Sequence, residues 1–257
     1  MHPLDVAIEV AREAGRMLLA AQHRPHEIAW KSSAIDLVTE MDRRAEALIV
    51  ERLAAAFPDY GFLTEESPEH GATSTRWIID PLDGTVNYAH GHPHFAVSIA
   101  LERAGEIVIG VVYHPALDEM FVAERGKGAR CNDRPIRVSR TARLQEALLA
   151  SGSPYDVHER PDPYMRLWRA LVTRAQAVRQ SGAAALDLCY VAAGRLDGYV
   201  EAGLDPWDVA AGSLIVEEAG GRVSDFQGGK DFVYGKTIVA ASPALWEGLW
   251  GALGALV

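Results

Sequence analysis

Cysteine is scarce: two residues in 257, Cys131 and Cys189, are too few for a disulfide framework or a cysteine-ligated cluster. Cys189 lies among Leu186, Leu188 and Val191 and reads as a buried small hydrophobe. Basic residues are in deficit, with 25 Lys and Arg against 35 Asp and Glu and a formal net charge of -10. The basic face of a nucleic-acid binder is therefore missing, and no nucleic acid is expected as a partner. No charge-free apolar run is long enough to span a bilayer. The first residues set Asp5, Glu9, Arg12 and Glu13 within an apolar pattern, unlike a signal peptide. No membrane association and a cytoplasmic location are the expectation. No low-complexity linker or internal repeat divides the chain.

The rest is patterned for a packed core. Leu4, Ile8, Ala11, Gly15 and Leu18 predict an amphipathic first helix, with Pro3 near its start. A second helix is expected from Thr39 to Phe57. Thr39 and Asp42 resemble a capping pair, Met41, Ala45, Leu48 and Ile49 form its stripe, and Pro58 ends it. Trp77-Ile78-Ile79 reads as a short strand, and residues 95–101, 107–113 and 119–123 as an antiparallel meander. Residues 126–135 read as a loop. Beyond Ser139 strands are expected at 147–150, 198–201, 223–226 and 237–241. Helices are expected at 164–175, 183–193 and 209–219, and from Pro243 onward. Gly194 suits a left-handed cap on the second of these. The chain divides into two halves packed as one unit, residues 1–139 and 140–257.

Chemistry concentrates at Asp80-Pro81-Leu82-Asp83-Gly84-Thr85. Two carboxylates three residues apart converge if the chain turns sharply, and Gly84 permits such a turn. Thr85 and Asn87 would open a short helix. The result is hard oxygen ligands of the kind magnesium takes, beside free amides that favour a phosphate. The same composition equally suits an ordinary surface turn. Glu65-Glu66, Asp36 with Asp42, and Trp207-Asp208 are each unremarkable alone.

Together they resemble the inositol monophosphatase family of magnesium-dependent, lithium-sensitive phosphatases. Trp77-Ile78-Ile79-Asp80-Pro81-Leu82-Asp83-Gly84-Thr85-Val86-Asn87-Tyr88 is similar to its first signature. Trp207-Asp208-Val209-Ala210-Ala211-Gly212, running on to Glu218-Ala219-Gly220-Gly221, is similar to its second. Asp36-Leu37-Val38-Thr39 and residues 61–67 match the elements between, so the likeness covers essentially the whole chain. The resemblance implies a mixed α+β and α/β fold: an αβαβα sandwich of the sugar-phosphatase type, with a largely antiparallel N-terminal sheet and a smaller C-terminal one. It implies two to three Mg2+ ions. Glu65, Asp80 and the Leu82 carbonyl would hold the first, Asp80, Asp83 and Asp208 the second, and Glu65 with Glu66 a weaker third. Such a cluster of carboxylates needs cations to offset its repulsion.

By the same resemblance, Glu65 and Thr85 would activate a water, with Asp42 accepting a hydrogen bond from Thr85. Asp83 and the amides of Gly84 and Thr85 would meet the phosphate. Arg179, Gly182, Ala183, Ala184, Glu201 and Asp205 would meet the organic part of a small phosphorylated polyol. Ala183 stands where the family often has a hydroxyl residue, so polyol selectivity is open while the metal chemistry is not. By composition alone Glu201 also suits an edge-strand surface carboxylate. The implied reaction is hydrolysis of a myo-inositol monophosphate by a homodimer. The alternatives are the same chemistry on fructose 1,6-bisphosphate, histidinol phosphate, adenosine 3',5'-bisphosphate or NADP, and a non-catalytic regulatory protein on the same fold. Other features point away from sites. His90, His92 and His94 are interrupted by Gly91 and Pro93 and read as a loop. Ser151-Gly152-Ser153 lacks the context of a nucleophile elbow. Trp168, Trp246 and Trp250 sit at packing positions. Lys31 resembles a family position near a metal-binding loop.

Overall fold

In the computed structural model, which describes residues 1–24, 28–30 and 37–254, the chain opens with helix α1 (Pro3–Ala21). Pro3 occupies the first turn, where its missing N–H has no intrahelical partner to lose. Leu4, Ala7, Ala11, Ala14 and Leu18 form its buried stripe. Strands β1 (Ile28–Trp30) and β2 (Leu37–Thr39) make an antiparallel ribbon leading into α2 (Glu40–Ala56). The expected Thr39–Asp42 pair is a capping box: Thr39 Oγ1 accepts the Met41 N–H at 3.1 Å, and the Asp42 carboxylate accepts the Thr39 N–H at 2.8 Å. Lys31 and Asp36 lie outside the described residues.

Next come β3 (Gly61–Thr64), β4 (Thr75–Asp83), the short α3 (Thr85–Ala89), β5 (Ala96–Arg103), β6 (Glu106–His114) and β7 (Glu119–Glu124). Residues 126–135, expected as loop, instead carry β8 (Ala129–Cys131) and β9 (Arg134–Pro135). Gly126 and Gly128, at φ 77° and 80°, reverse the chain so that Ala129–Cys131 pairs with β7. Three residues are too few to carry a readable alternation. The seven strands β3 to β9 form one sheet in sequence order, parallel only between β3 and β4.

The second half contains β10 (Leu148–Ala150), α4 (Pro161–Val172), β11 (Ala177–Arg179), α5 (Ala184–Ala192), β12 (Gly198–Ala202), α6 (Pro206–Glu218), β13 (Arg222–Ser224), β14 (Thr237–Ala241) and α7 (Pro243–Leu253). Helices α4 and α6 each start three residues earlier than their apolar pattern suggests, on a proline in the first turn. The five-stranded sheet runs β11-β10-β12-β14-β13, parallel among the first three and antiparallel thereafter.

Helices α1 and α2 cover the outer face of the larger sheet. Helices α5 and α6 fill the space between the sheets, and α4 and α7 cover the far face of the smaller one. This is the αβαβα layering. Two glycines set the middle layer: a Cβ on Gly110 would come within 2.6 Å of the Ala211 carbonyl, and one on Gly212 within 2.7 Å of Leu188. Helix α6 therefore crosses β6 at backbone distance and seats its Gly212 against the Leu188 side chain of α5. Trp246 is buried and stacks on Trp250 with ring centroids 5.4 Å apart, a packing role. Cys131 and Cys189 are buried free thiols. Among the described residues no helix is long and apolar enough to cross a membrane.

Candidate active site

The acidic segment belongs to a strand. Strand β4 continues past Ile79 to Asp83, with a register shift between Asp80, opposite Ser98, and Asp83, opposite Ala96. Pro81 and Leu82 thus face one residue, Val97. The expected sharp turn is a β-bulge, because Pro81 has no N–H for the ladder and a bulge tolerates that loss. Leu82 donates its N–H to Asp80 Oδ1 at 2.9 Å, and its carbonyl lies 3.0 Å from Thr85 Oγ1. Gly84, at φ 91° and ψ 39°, then turns the chain into α3.

Four carboxylates gather here from separate elements: Glu65 after β3, Asp80 and Asp83 on the bulge, and Asp208 in the first turn of α6. Burial above all, then Glu65, Asp83 and Asp208, holds Asp80 well above the usual carboxylate range, and Asp80 also hydrogen-bonds with Glu65. Burial first, then Glu65, likewise holds Asp208 up, opposed by the Asp205 amide, which donates to Asp208 Oδ2 at 2.7 Å. Asp83 is raised by burial and by Glu65 and Glu201, against the amides of Ala185 and Ala184. Those amides donate to its two oxygens at 2.9 and 3.1 Å, so Asp83 caps helix α5.

Among the described residues no three acids or histidines stand at the spacing of a closed metal cage. Asp80 and Asp208 each spend one oxygen on a backbone amide, and Asp83 spends both. Carboxylate oxygens carry further lone pairs. Buried, mutually repelling hard-oxygen donors fit magnesium, and softer metals would want nitrogen or sulfur.

Thr85 Oγ1 lies 2.9 Å from Asp42 Oδ1 and 3.0 Å from the Leu82 carbonyl. One hydroxyl proton serves one acceptor well, and the carboxylate, nearer and charged, is the stronger. Asp42 is fully buried and also takes both the amide and the hydroxyl of Thr39. Glu66 lines a second cavity with Arg43, Glu46 and His70, and its amide donates to Glu46 Oε2 at 2.8 Å.

A cavity of about 450 Å3 opens over Asp83 and Asp208 and is lined by Gly84, Thr85, Gly182, Ala183, Ala184 and Glu201, among others. Glu201 is 9% exposed on β12, an interior strand, so the edge-strand alternative fails. Tyr199 donates its hydroxyl to Glu201 Oε2 at 2.5 Å, and burial pushes the Glu201 carboxyl up to about 7 against that bond. A Cβ on Gly152 would land on this carboxylate, which explains the glycine in Ser151-Gly152-Ser153. Arg179 and Asp205 do not line the cavity. Arg179 is exposed on edge strand β11, and Asp205 pairs with Lys236 at 2.7 Å.

Asp187 and Gln180 carried no clear signal of a site in the sequence, and Asn87 and Ser153 none of their partners. Asn87 donates to the His94 and Ser181 carbonyls, both at 2.8 Å, and so ties α3 to the Gly182 segment. Asp187 on α5 is buried and accepts the Ser181 hydroxyl; burial raises its carboxyl well above the usual range. A single acid within the apolar run 183–193 was its only signal. Gln180 and Ser153 meet across the cavity wall at 2.9 Å. The loop at His90–His94 contributes its backbone, and burial pushes the His94 imidazole down to about 4.

A profile of the inositol monophosphatase family matches residues 2–255. A Vibrio cholerae protein named Nus factor SuhB is 43% identical over 95% of this chain and 92% of its own length. A Mesorhizobium japonicum inositol-1-monophosphatase is 43% identical over 97% of this chain and 95% of its own. The crystal structure of the extragenic suppressor protein suhB from Bartonella henselae superposes with a TM-score of 0.93 at 45% identity, covering 97% of each chain.

Proposed function

The chain belongs to the inositol monophosphatase family, and from that premise we propose that it hydrolyses a small phosphate monoester, foremost a myo-inositol monophosphate, with magnesium. The observation that carries this reading is the clustering of Glu65, Asp80, Asp83 and Asp208, two of which, Asp83 and Asp208, line a cavity that Glu201 also lines. The organising division is residues 1–139 for most of the cation ligands and 140–257 for Asp208 and the organic part of the substrate.

Glu65, Asp80, Asp83, Asp208 and the Leu82 carbonyl would hold two to three Mg2+ ions, with Glu66 at most a peripheral contributor. When bound, magnesium offsets the carboxylate repulsion, polarises the phosphoryl group and acidifies water beside it. The remaining work falls to the chain. Thr85 gives its proton to Asp42, which leaves the Thr85 oxygen as an acceptor towards the cavity. A water held between Thr85 Oγ1 and the Glu65 carboxylate has two acceptors for its protons and a lone pair free for phosphorus. The amides of Gly84 and Thr85 face the phosphate. Glu201, held by Tyr199, accepts a hydroxyl of the polyol. Ala183, lacking a hydroxyl, leaves selectivity to Glu201 and the Gln180–Ser181 wall. Lithium inhibition, a homodimer and a cytoplasmic location follow from the same kinship.

The test is turnover of inositol 1-phosphate with and without millimolar magnesium, beside fructose 1,6-bisphosphate, histidinol phosphate, adenosine 3',5'-bisphosphate and NADP. A higher kcat/KM on one of these would replace the substrate, and no magnesium-dependent turnover of any would remove the enzyme reading. A second reading, a regulatory protein on this fold, is favoured by the Vibrio relative's name, Nus factor SuhB. It predicts a chain whose cellular role survives loss of turnover in an Asp83→Asn variant. Light scattering checks the dimer.

A further inference from the structure

Helix α2 carries two buried carboxylates four residues apart, Asp42 and Glu46, the latter 3% exposed. That spacing places both on one face of the helix. Asp42 holds Thr85. Glu46 turns its two oxygens to the segment just beyond Glu65: Oε2 accepts the Glu66 N–H at 2.8 Å, and Oε1 accepts the Ser67 hydroxyl. Thr64 Oγ1 donates to the Ser67 carbonyl at 3.3 Å and closes the same loop from its other end. A carboxylate is a costly choice for a buried position unless its oxygens are occupied. Hydrogen bonds to an ionised acceptor are shorter and stronger than neutral ones. One rigid helix thus grips both segments that bear on the proposed water, Thr85 through Asp42 and Glu65 through Glu46.

We infer that Glu46 is a positioning residue that fixes where Glu65 stands and thereby sets the cation affinity of the site. This rests on the reading of Glu65 as a cation ligand. Glu46→Gln keeps one oxygen for the Glu66 N–H, turns the other into an NH2 that the Ser67 hydroxyl meets only by reversing its own bond from donor to acceptor, and replaces both bonds to a carboxylate by weaker bonds to a neutral amide. Ser67→Ala removes one of the two bonds and nothing else from the anchor. Ile49→Val trims a fully buried side chain of the same helix and serves as a control for general loosening.

The experiment is calorimetric titration of Mg2+ into the metal-free full chain, with Tm measured for each variant. Glu46→Gln should weaken magnesium binding about tenfold or more, as loss of an outer partner of a ligand typically does. Ser67→Ala should weaken it less, and Ile49→Val should lower Tm with Kd unchanged. An unchanged Kd in Glu46→Gln, or a weakening no greater than in Ile49→Val, overturns the inference. Should Glu46→Gln fail to fold, an unchanged Kd in Ser67→Ala overturns it equally. A wild-type chain that binds no magnesium removes the proposed function and this inference together. Wild-type binding with unmoved variants removes the inference alone.

Discussion

Asp83 accepts the backbone N–H of Ala185 at 2.9 Å across 102 residues of chain. A side chain read as a cation ligand is therefore also the N-terminal cap of α5, the helix that carries the cavity's Gly182–Ala184 wall into the middle layer. Asp83→Asn leaves one acceptor oxygen for two amides. The expected outcome is a loss of stability of about 1 kcal/mol, read by urea unfolding of the metal-free protein. A fall in magnesium-dependent turnover of at least about 100-fold should accompany it, since a ligand matters no less than its outer partners. Full activity with reduced stability would leave Asp83 as a cap alone.

Thr85 differs from the aspartates in acting through a proton. Thr85→Ser keeps the hydroxyl and should keep activity within about tenfold. Thr85→Val removes the hydroxyl, leaves Asp42 without that donor, and should lower kcat about 100-fold or more with KM little changed. Steady-state kinetics on the two variants separates shape from proton handling.

Glu201 should make stability fall with rising pH. Its carboxyl is pushed up to about 7 in the fold from an ordinary 4.5, so the folded chain holds a proton there that the unfolded chain has released. Its contribution is complete below about 4.5 and is lost as pH rises through about 7. Glu201→Gln removes the dependence. Thermal unfolding of the metal-free proteins should show the variant gaining on the wild type by roughly 1–3 kcal/mol between pH 5 and pH 8. A constant difference would place Glu201 in a wetter setting than its burial implies.

Magnesium should raise Tm more at pH 8 than at pH 5. Burial and mutual repulsion raise Asp80, Asp83 and Asp208 in the metal-free chain, so protons compete with the cation as pH falls. Ten Kd of free magnesium is worth about 1.4 kcal/mol by mass action. Calorimetry in two buffers of different ionisation heat should also show protons released on binding. A pH-independent gain would argue against these carboxylates as the ligands.

The extent of what was legible follows from how local each signal is. The helices and the meander declare themselves through apolar spacing over ten or more residues. Strands β8, β9 and β11, two or three residues each, do not, because they exist only through a neighbour's open edge. Asp187 as a site residue, and the tie that Asn87 makes, were illegible for the same reason: their partners, Ser181 and the 181–182 carbonyls, are defined by the fold.

By itself the sequence determined the order of the main elements, the Thr39–Asp42 cap and the acidic segments of the site, since each rests on residues near one another in the chain; the layered αβαβα architecture came through the family resemblance of its two long signatures. Tertiary structure alone decided that Pro81 and Leu82 form a bulge rather than a turn, and that Asp83 caps a helix 102 residues away. It placed Glu201 on an interior strand, set Arg179 and Asp205 outside the cavity, and turned Glu46 towards Glu65's loop. The reason is physical. A carboxylate's role is set by which amides, hydroxyls and charges surround it once water is gone, and those neighbours come from every part of the chain.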